Sequence, residues 1–271
     1  MNENLINVRV WGDYACFTRA EMKVERVSYP IMTPSAARGI LEAIFWKPQM
    51  FYLIDSIKVI KKGVWTSFRR NEVTKRISLS QAKSAMAGTG EISTIKAGGG
   101  ADDATQRNML ALQDVEYIIT AEILLSELGK HSNQVLPKYK EEIERRVRSG
   151  KCFHRPSLGV REFSADFDWV ANPNDFSPKM NWTENLGLIL YDVFSHQERA
   201  VGFRFLDGED YADNQVPLFA TEMPKKKKGK PVSDGVLVKP STSFFRAEVK
   251  ENVMNCHPNT IDIIQQKGGI A

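Results

Sequence analysis

Apolar and polar positions alternate from Ile6 to Thr18, with Val8, Val10, Tyr14 and Cys16 on the inward side, and this period of two predicts a strand. The pattern then changes to a helical one. Thr33 suits an N-cap and Pro34 the first helical position, and Ala36, Ala37, Ile40, Leu41, Ile44 and Phe45 form an apolar stripe that must end before Pro48. Phe51 to Lys62 reads as a strand, Gly63 as a turn, and Val64 to Ile77 as its hairpin partner. Residues 79–104 break the rhythm. LSQAKSAMAG is compatible with a helix, but the run through Gly98–Gly100 has no period and reads as a mobile loop. The glycines there are no phosphate cradle, because no Lys-Ser/Thr pair follows them. Thr105 to Leu112 leads into a strong strand at Val115–Leu125.

Pro137 opens a second helix, in which Tyr139, Ile143 and Val147 share one face, and Gly150 ends it. A strand is expected near Gly159 to Phe163 and another at Asn185 to Phe194. Beyond about residue 197 the pattern is all β, with short strands at Ala200–Leu206, Val236–Lys239 and Phe244–Val249. The order strand, helix, strand, strand, strand, helix, strand is close to β-α-β-β-α-β. The expected fold is therefore α+β. A ferredoxin-like domain spans residues 1–197 and carries the 79–104 insert, and a small antiparallel β appendage spans 198–271. An open sheet face in such a domain suits RNA binding.

The 271 residues, 42% hydrophobic and 26% charged, fit a soluble globular chain of one large domain or two small ones. No apolar run reaches the roughly 20 residues a membrane helix needs, and the N-terminus lacks the pattern of a signal peptide. Cys16, Cys152 and Cys256 are too few and too dispersed for a disulfide framework or a metal site. A reducing cytoplasm is the expected location, with no metal and no cofactor.

Net charge is only +4, so the distribution of charge says more than its sum. Basic residues cluster at Lys58–Lys62, Arg69–Arg76, Arg145–Arg155 and Lys225–Lys230. The last cluster, PKKKKGKP, reads as a solvated loop or a non-specific contact with nucleic acid. Lys138 to Phe163 holds eight Lys/Arg residues and a His beside aromatics. Cations there offset the negative end of a helix dipole, and the same arrangement can grip a phosphate backbone. The candidate RNA contacts are Arg38, Lys47, Arg107, Arg145, Arg146, Arg148, Lys151 and Arg155. Arg107, beside Gln106 at the entry to a strand, suits a phosphate clamp, an N-cap or an ion pair equally.

Thr33–Pro48 (TPSAARGILEAIFWKP), Thr105–Ile119 and Arg148–Phe163 (RSGKCFHRPSLGVREF) together resemble the Cas-five proteins of type I-C CRISPR systems, subtype d, within the RAMP superfamily. The resemblance covers roughly the first two hundred residues. It implies a ferredoxin-like domain, binding of CRISPR repeat RNA, and metal-independent cutting of the precursor. It also implies partnership with the guide RNA 5′ handle and with the other subunits of a surveillance complex. The family's cutting site, a Tyr after the first helix and a Lys-His pair, falls on Phe45, Lys138 and Tyr139, and only Lys138 matches. Phe45 can neither move a proton nor stabilise charge. His154 and His131 are nearby in sequence, and histidine is the side chain that titrates near neutral pH. The candidate catalytic residues are Lys138, Tyr139 and His154. Core packing for Tyr139 and a structural role for His154 are the competing readings.

Overall fold

The computed structural model describes residues 4–22, 24–75, 77–92, 94–98, 100–205, 236–238 and 241–265. The alternating N-terminal run forms β1 (Leu5–Ala15), followed by the short β2 (Arg26–Val27). The Thr33 hydroxyl accepts the Ala36 N–H and starts α1 (Pro34–Ile44), as the cap pattern predicts. Next come β3 (Met50–Lys61), β4 (Val64–Val73) and α2 (Leu79–Met86), the last closed by a capping box between Ser78 and Gln81. The long strand β5 (Ala104–Leu125) leads to α3 (Glu127–His131) and α4 (Leu136–Arg148). After β6 (Asp166–Trp169), β7 (Glu184–Asp192), α5 (His196–Val201) and β8 (Phe203–Phe205), the chain ends with β9 (Val236–Val238), β10 (Ser243–Lys250), β11 (Val253–Asn255) and β12 (Ile263–Gln265).

The architecture is a mixed α/β one with a largely antiparallel sheet. Its central strands run β3-β5-β1-β6, each antiparallel to its neighbour. One face carries Val8 and Val10 of β1, Tyr117 and Ile119 of β5, and Ile57 and Val59 of β3, all buried under α1 and α4. Tyr139, Ile143 and Val147 are the face that α4 contributes. Among the described residues no helix is long and apolar enough to cross a membrane.

Four expectations need correction. β4 does not fold back on β3. It pairs with the N-terminal half of β5, Val64 opposite Gln113 through Val73 opposite Ala104, while β3 takes the C-terminal half. Alternation marks a strand but not its partner. Thr105–Leu112 and Val115–Leu125 are thus one strand. No strand forms at Gly159–Phe163: a single bridge joins Ser157 to Ser164, and Gly159 takes φ +92, which a ladder excludes. Ala200 belongs to α5, capped by Ser195 and Glu198, and among the described residues of the expected strand Phe203–Phe205 is the extended part. Nor is the second sheet face open. The Lys58 ammonium donates to the Pro173 carbonyl at 2.8 Å, and the Arg9 guanidinium stacks 5.2 Å from Phe176, so residues 173–176 cross that face.

Strand pairing also crosses residue 197. β10 runs along β7 and pairs with β12, and β11 pairs with β3 from Ser56 to Lys58, so β10, β11 and β12 extend the same sheet, whereas β8 and β9 pair with each other in parallel as a separate two-stranded sheet. The Lys225–Lys230 run and Leu206 lie outside the described residues.

Candidate functional site

Helix α1 stops at Phe45, whose extended backbone ends the ladder and whose carbonyl accepts the buried Tyr52 hydroxyl at 2.7 Å. Helix α4 starts at Leu136 with Pro137 in its first turn, and its apolar face brings Tyr139 against α1. The Phe45 and Tyr139 rings lie 6.2 Å apart, and the Arg146 guanidinium sits 5.1 Å from the Phe45 ring. Two positions more than ninety residues apart in sequence are thereby brought together. Lys138 is exposed. Its ammonium and the Tyr139 hydroxyl both donate to the Gln134 side-chain oxygen, at 3.2 and 3.1 Å. Burial pushes the Tyr139 hydroxyl above its ordinary value, so it supplies even less phenolate at neutral pH than a free tyrosine.

Beside Phe45 a cavity of about 590 Å³ opens, bordered by Trp46, Lys47, Arg146, Phe153 and His154. A second, of about 780 Å³, lies between α1 and the strap 153–161, bordered by Thr18, Ser35, Arg155 and Arg161. Gly39, Ala43 and His154 line both, so the two form one groove with His154 at the junction. The backbone N–H groups of Phe153 and His154 both donate to the Ala43 carbonyl at 2.9 Å and hold the strap to the helix. Phe153 is 75% exposed and packs edge-on against the His154 ring, 4.4 Å between centroids.

The candidate cations divide into three groups. Lys47 and His154 line the groove; Lys151 is exposed just past α4. Arg145, Arg146 and Arg148 are held by carboxylates one turn back: Glu142 takes Arg145 and, at 2.6 Å, Arg146, and Glu144 takes Arg148 at 2.9 Å. Arg155 lines the larger cavity while pairing with Asp166 at 2.5 Å. Two more lie elsewhere. Arg107 sits on β5 opposite Arg70, 3.8 Å from Glu25. Arg38 lies beneath the groove rather than in it, 7% exposed and clamped by Asp192 and Glu42. An arginine on the inward stripe of a helix needs partners; Glu42, one turn on in α1, is a local one, but Asp192 comes from β7 and sequence alone gave no sign of it. His131, at the end of α3, is exposed.

Sequence reasoning missed Gln134, Arg161 and the buried set of Glu42, Asp192 and Arg199. Asp192 binds Arg38 through both oxygens, at 2.8 and 3.0 Å, and Arg199 reaches Glu42 at 2.9 Å.

The sequence model of one family, described as CRISPR-associated protein (Cas_Cas5), matches residues 5–257. A protein of Mannheimia succiniciproducens, named CRISPR pre-crRNA endoribonuclease Cas5d, is 43% identical over 210 residues, covering 74% of this chain and 90% of that protein. A protein of the same name from Thermus thermophilus is 42% identical over 188 residues, covering 69% of this chain and 72% of its own. Among solved structures, one of a CRISPR-associated protein has a TM-score of 0.55 at 19% identity, over 93% of this chain and 90% of that one. A functionally uncharacterized protein from Streptococcus mutans has a TM-score of 0.54 at 17% identity, over 94% and 93%. At these identities the two structures speak for the fold alone.

Proposed function

The chain belongs to the CRISPR-associated Cas5 family, subtype d, and on that premise we propose that it binds CRISPR repeat RNA, cuts the precursor without a metal ion, and stays on the guide 5′ handle within a type I-C surveillance complex. The element order β1-α1-β3-β5-α4-β6 and the sheet order β3-β5-β1-β6 support reading the core as ferredoxin-like. In this reading residues 1–197 are the RNA-binding unit, and β10 and β11 brace it through β7 and β3.

One observation carries the assignment: the chain brings Phe45 and Tyr139, the positions that match the family's Tyr and His, into ring contact beside Lys138 and next to a cavity edged by His154. Metal-free cutting removes the proton from a ribose 2′-hydroxyl. The 2′-oxygen then bonds to phosphorus, the bond to the 5′-oxygen breaks, and that oxygen takes up a proton. The products are a 2′,3′-cyclic phosphate and a 5′-hydroxyl. His154 is the proton-transfer group in this proposal, and the Lys138 ammonium stabilises the charge that grows on the phosphate. Arg145, Arg146, Arg148, Lys151 and Arg155 hold the RNA through its phosphates.

The same positions support a second reading, a structural subunit that binds the repeat and does not cut. Phe45 has no proton to move, and Tyr139 is 4% exposed with its hydroxyl already donated to Gln134. Incubating the purified chain with end-labelled repeat RNA, with and without EDTA, separates the two. A cyclic-phosphate product that survives EDTA supports cutting; tight binding with intact RNA gives the structural reading; neither binding nor cutting overturns both.

A further inference from the structure

The groove over α1 has an uneven charge distribution. No Asp or Glu lines its larger cavity, while Arg155, Arg161 and His154 do. The smaller cavity has one carboxylate, Glu42, already bound by Arg38 and Arg199 beneath it. All three arginines on α4 have a glutamate partner, but Arg161 at one end of the groove and Lys47 at the other form no ion pair with any described residue. An acid-poor groove with available cations at both ends fits an anionic chain better than a protein surface of mixed charge.

The floor of the groove points the same way. Gly39 sits in the middle of α1, where glycine weakens a helix. Nothing among the described residues explains it: its φ is not positive, and an added Cβ would meet none of their atoms within 4 Å. The space it leaves opens into both cavities. Glycine in such a place lets a backbone approach closely. The opposite wall is fixed before any ligand arrives. Gly159 in the strap has no room for a Cβ, which would stand 1.9 Å from the Cys16 carbonyl oxygen. The Leu158 carbonyl accepts the Cys16 N–H at 2.9 Å, and the Leu158 N–H donates to the Phe163 carbonyl at 2.8 Å. A rigid wall loses little entropy on binding.

We propose that this groove is the track of the RNA backbone: the sugar-phosphate chain crosses α1 at Gly39, its scissile phosphate lies at His154, and Arg161 and Lys47 bind the phosphates on either side. The track rests on the RNA-cutting reading above and adds to it two phosphate contacts and a point of closest approach.

Fluorescence anisotropy with labelled repeat RNA, beside thermal melting, tests it. Gly39→Ala should raise Tm, because alanine favours the helix, yet weaken RNA binding several-fold. Gly39→Leu, which fills the groove, should weaken binding tenfold or more. Arg161→Ala and Lys47→Ala should each lower the slope of log K against log salt by about 0.7, the value for one single-strand phosphate contact. If Gly39→Leu folds and binds as tightly as wild type, the track is wrong while the RNA reading stands. Should Gly39→Leu fail to fold, unchanged affinity in Gly39→Ala together with unchanged slopes in both cation variants overturns it equally. A wild-type chain without affinity for the repeat removes both the track and the reading beneath it.

Discussion

Arg38 on α1 and Arg146 on α4 are both bound by carboxylates, and the two helices pack together. They nevertheless serve different ends. Arg38 is sealed from water with Asp192, Glu42 and Arg199, and that cluster ties α1 to β7 and α5. Arg146 and its neighbours Arg145 and Arg148 pair at the surface with glutamates of their own helix. Exposed pairs of this kind stabilise a helix by only about 0.3–0.5 kcal/mol, so a phosphate can replace the carboxylate at little cost. A buried pair cannot exchange, because removing one member leaves an uncompensated charge in a poor dielectric. Burial, not residue type, separates the arginines that hold the fold from those offered to a ligand.

The largest effect should come from breaking the buried cluster. Asp192→Ala leaves the two buried arginines, Arg38 and Arg199, with one carboxylate of the cluster, Glu42, and should cost about 3–5 kcal/mol in a denaturant titration. A loss below about 1 kcal/mol would show that the cluster is solvated and that the contrast with α4 is false. The cluster also sets a pH limit. Burial opposes ionisation of Asp192, but Arg38 and Arg199 outweigh it and hold the carboxyl below its ordinary range. Its stabilisation is therefore complete above the unfolded value near pH 4 and is lost as pH falls through the lower folded value. Asp192→Asn should flatten that acid limb.

Next in size is a change in rate rather than stability. Lys138 is exposed and touches only Gln134 and the Tyr139 ring among its described contacts. Lys138→Ala should leave Tm unchanged but lower the cleavage rate by about 10²–10³, the usual cost of losing one charge-stabilising donor. His154→Ala tests the proton-transfer role in the same assay. Efficient cutting by both variants would move the site away from α4 and the strap.

This division explains what could be read from the sequence. Local signals carried well: Thr33-Pro34 started α1, and the spacing of Tyr139, Ile143 and Val147 gave the inward face of α4, because each depends only on neighbours within a turn or two. Non-local partners did not. Arg38 looks like any helical arginine until Asp192 arrives from 154 positions away, and the alternation of β4 did not say that β5 was its partner. The strap at Gly159 resembles a strand in sequence because apolar residues that anchor a loop space themselves much as strand residues do. The cations of α4 are legible as a cluster, and the glutamates one turn back that neutralise them are equally local, but which of the two a ligand would meet depends on the fold.

A smaller effect should follow from removing two exposed arginines. Arg145→Ala with Arg148→Ala should reduce the salt slope of RNA binding by about 1.4, at roughly 0.7 for each single-strand contact. Tm should move little, since Arg145 gives up a surface pair and Arg148 a surface pair and a half-exposed contact 5.9 Å from the Trp169 ring. An unchanged slope would mean that these cations serve the helix end and not the RNA.

The smallest effect tests exchange itself. Glu142 holds both Arg145 and Arg146, and hydrogen bonds from the two keep its carboxyl below the ordinary range, so it stays ionised and engaged near neutral pH. If RNA phosphates must displace it, deleting its charge removes a competitor. Glu142→Gln should therefore tighten repeat-RNA binding by a few-fold at low salt, and the gain should shrink as salt screens the exposed charges. The helix should lose no more than about 1 kcal/mol, the sum of two surface pairs. The matched change in the buried cluster, Asp192→Asn, which lies outside both cavities of the groove, should show the reverse: a large loss of stability and no gain in affinity. Equal behaviour of the two variants would erase the distinction between arginines that hold the fold and arginines that wait for a ligand.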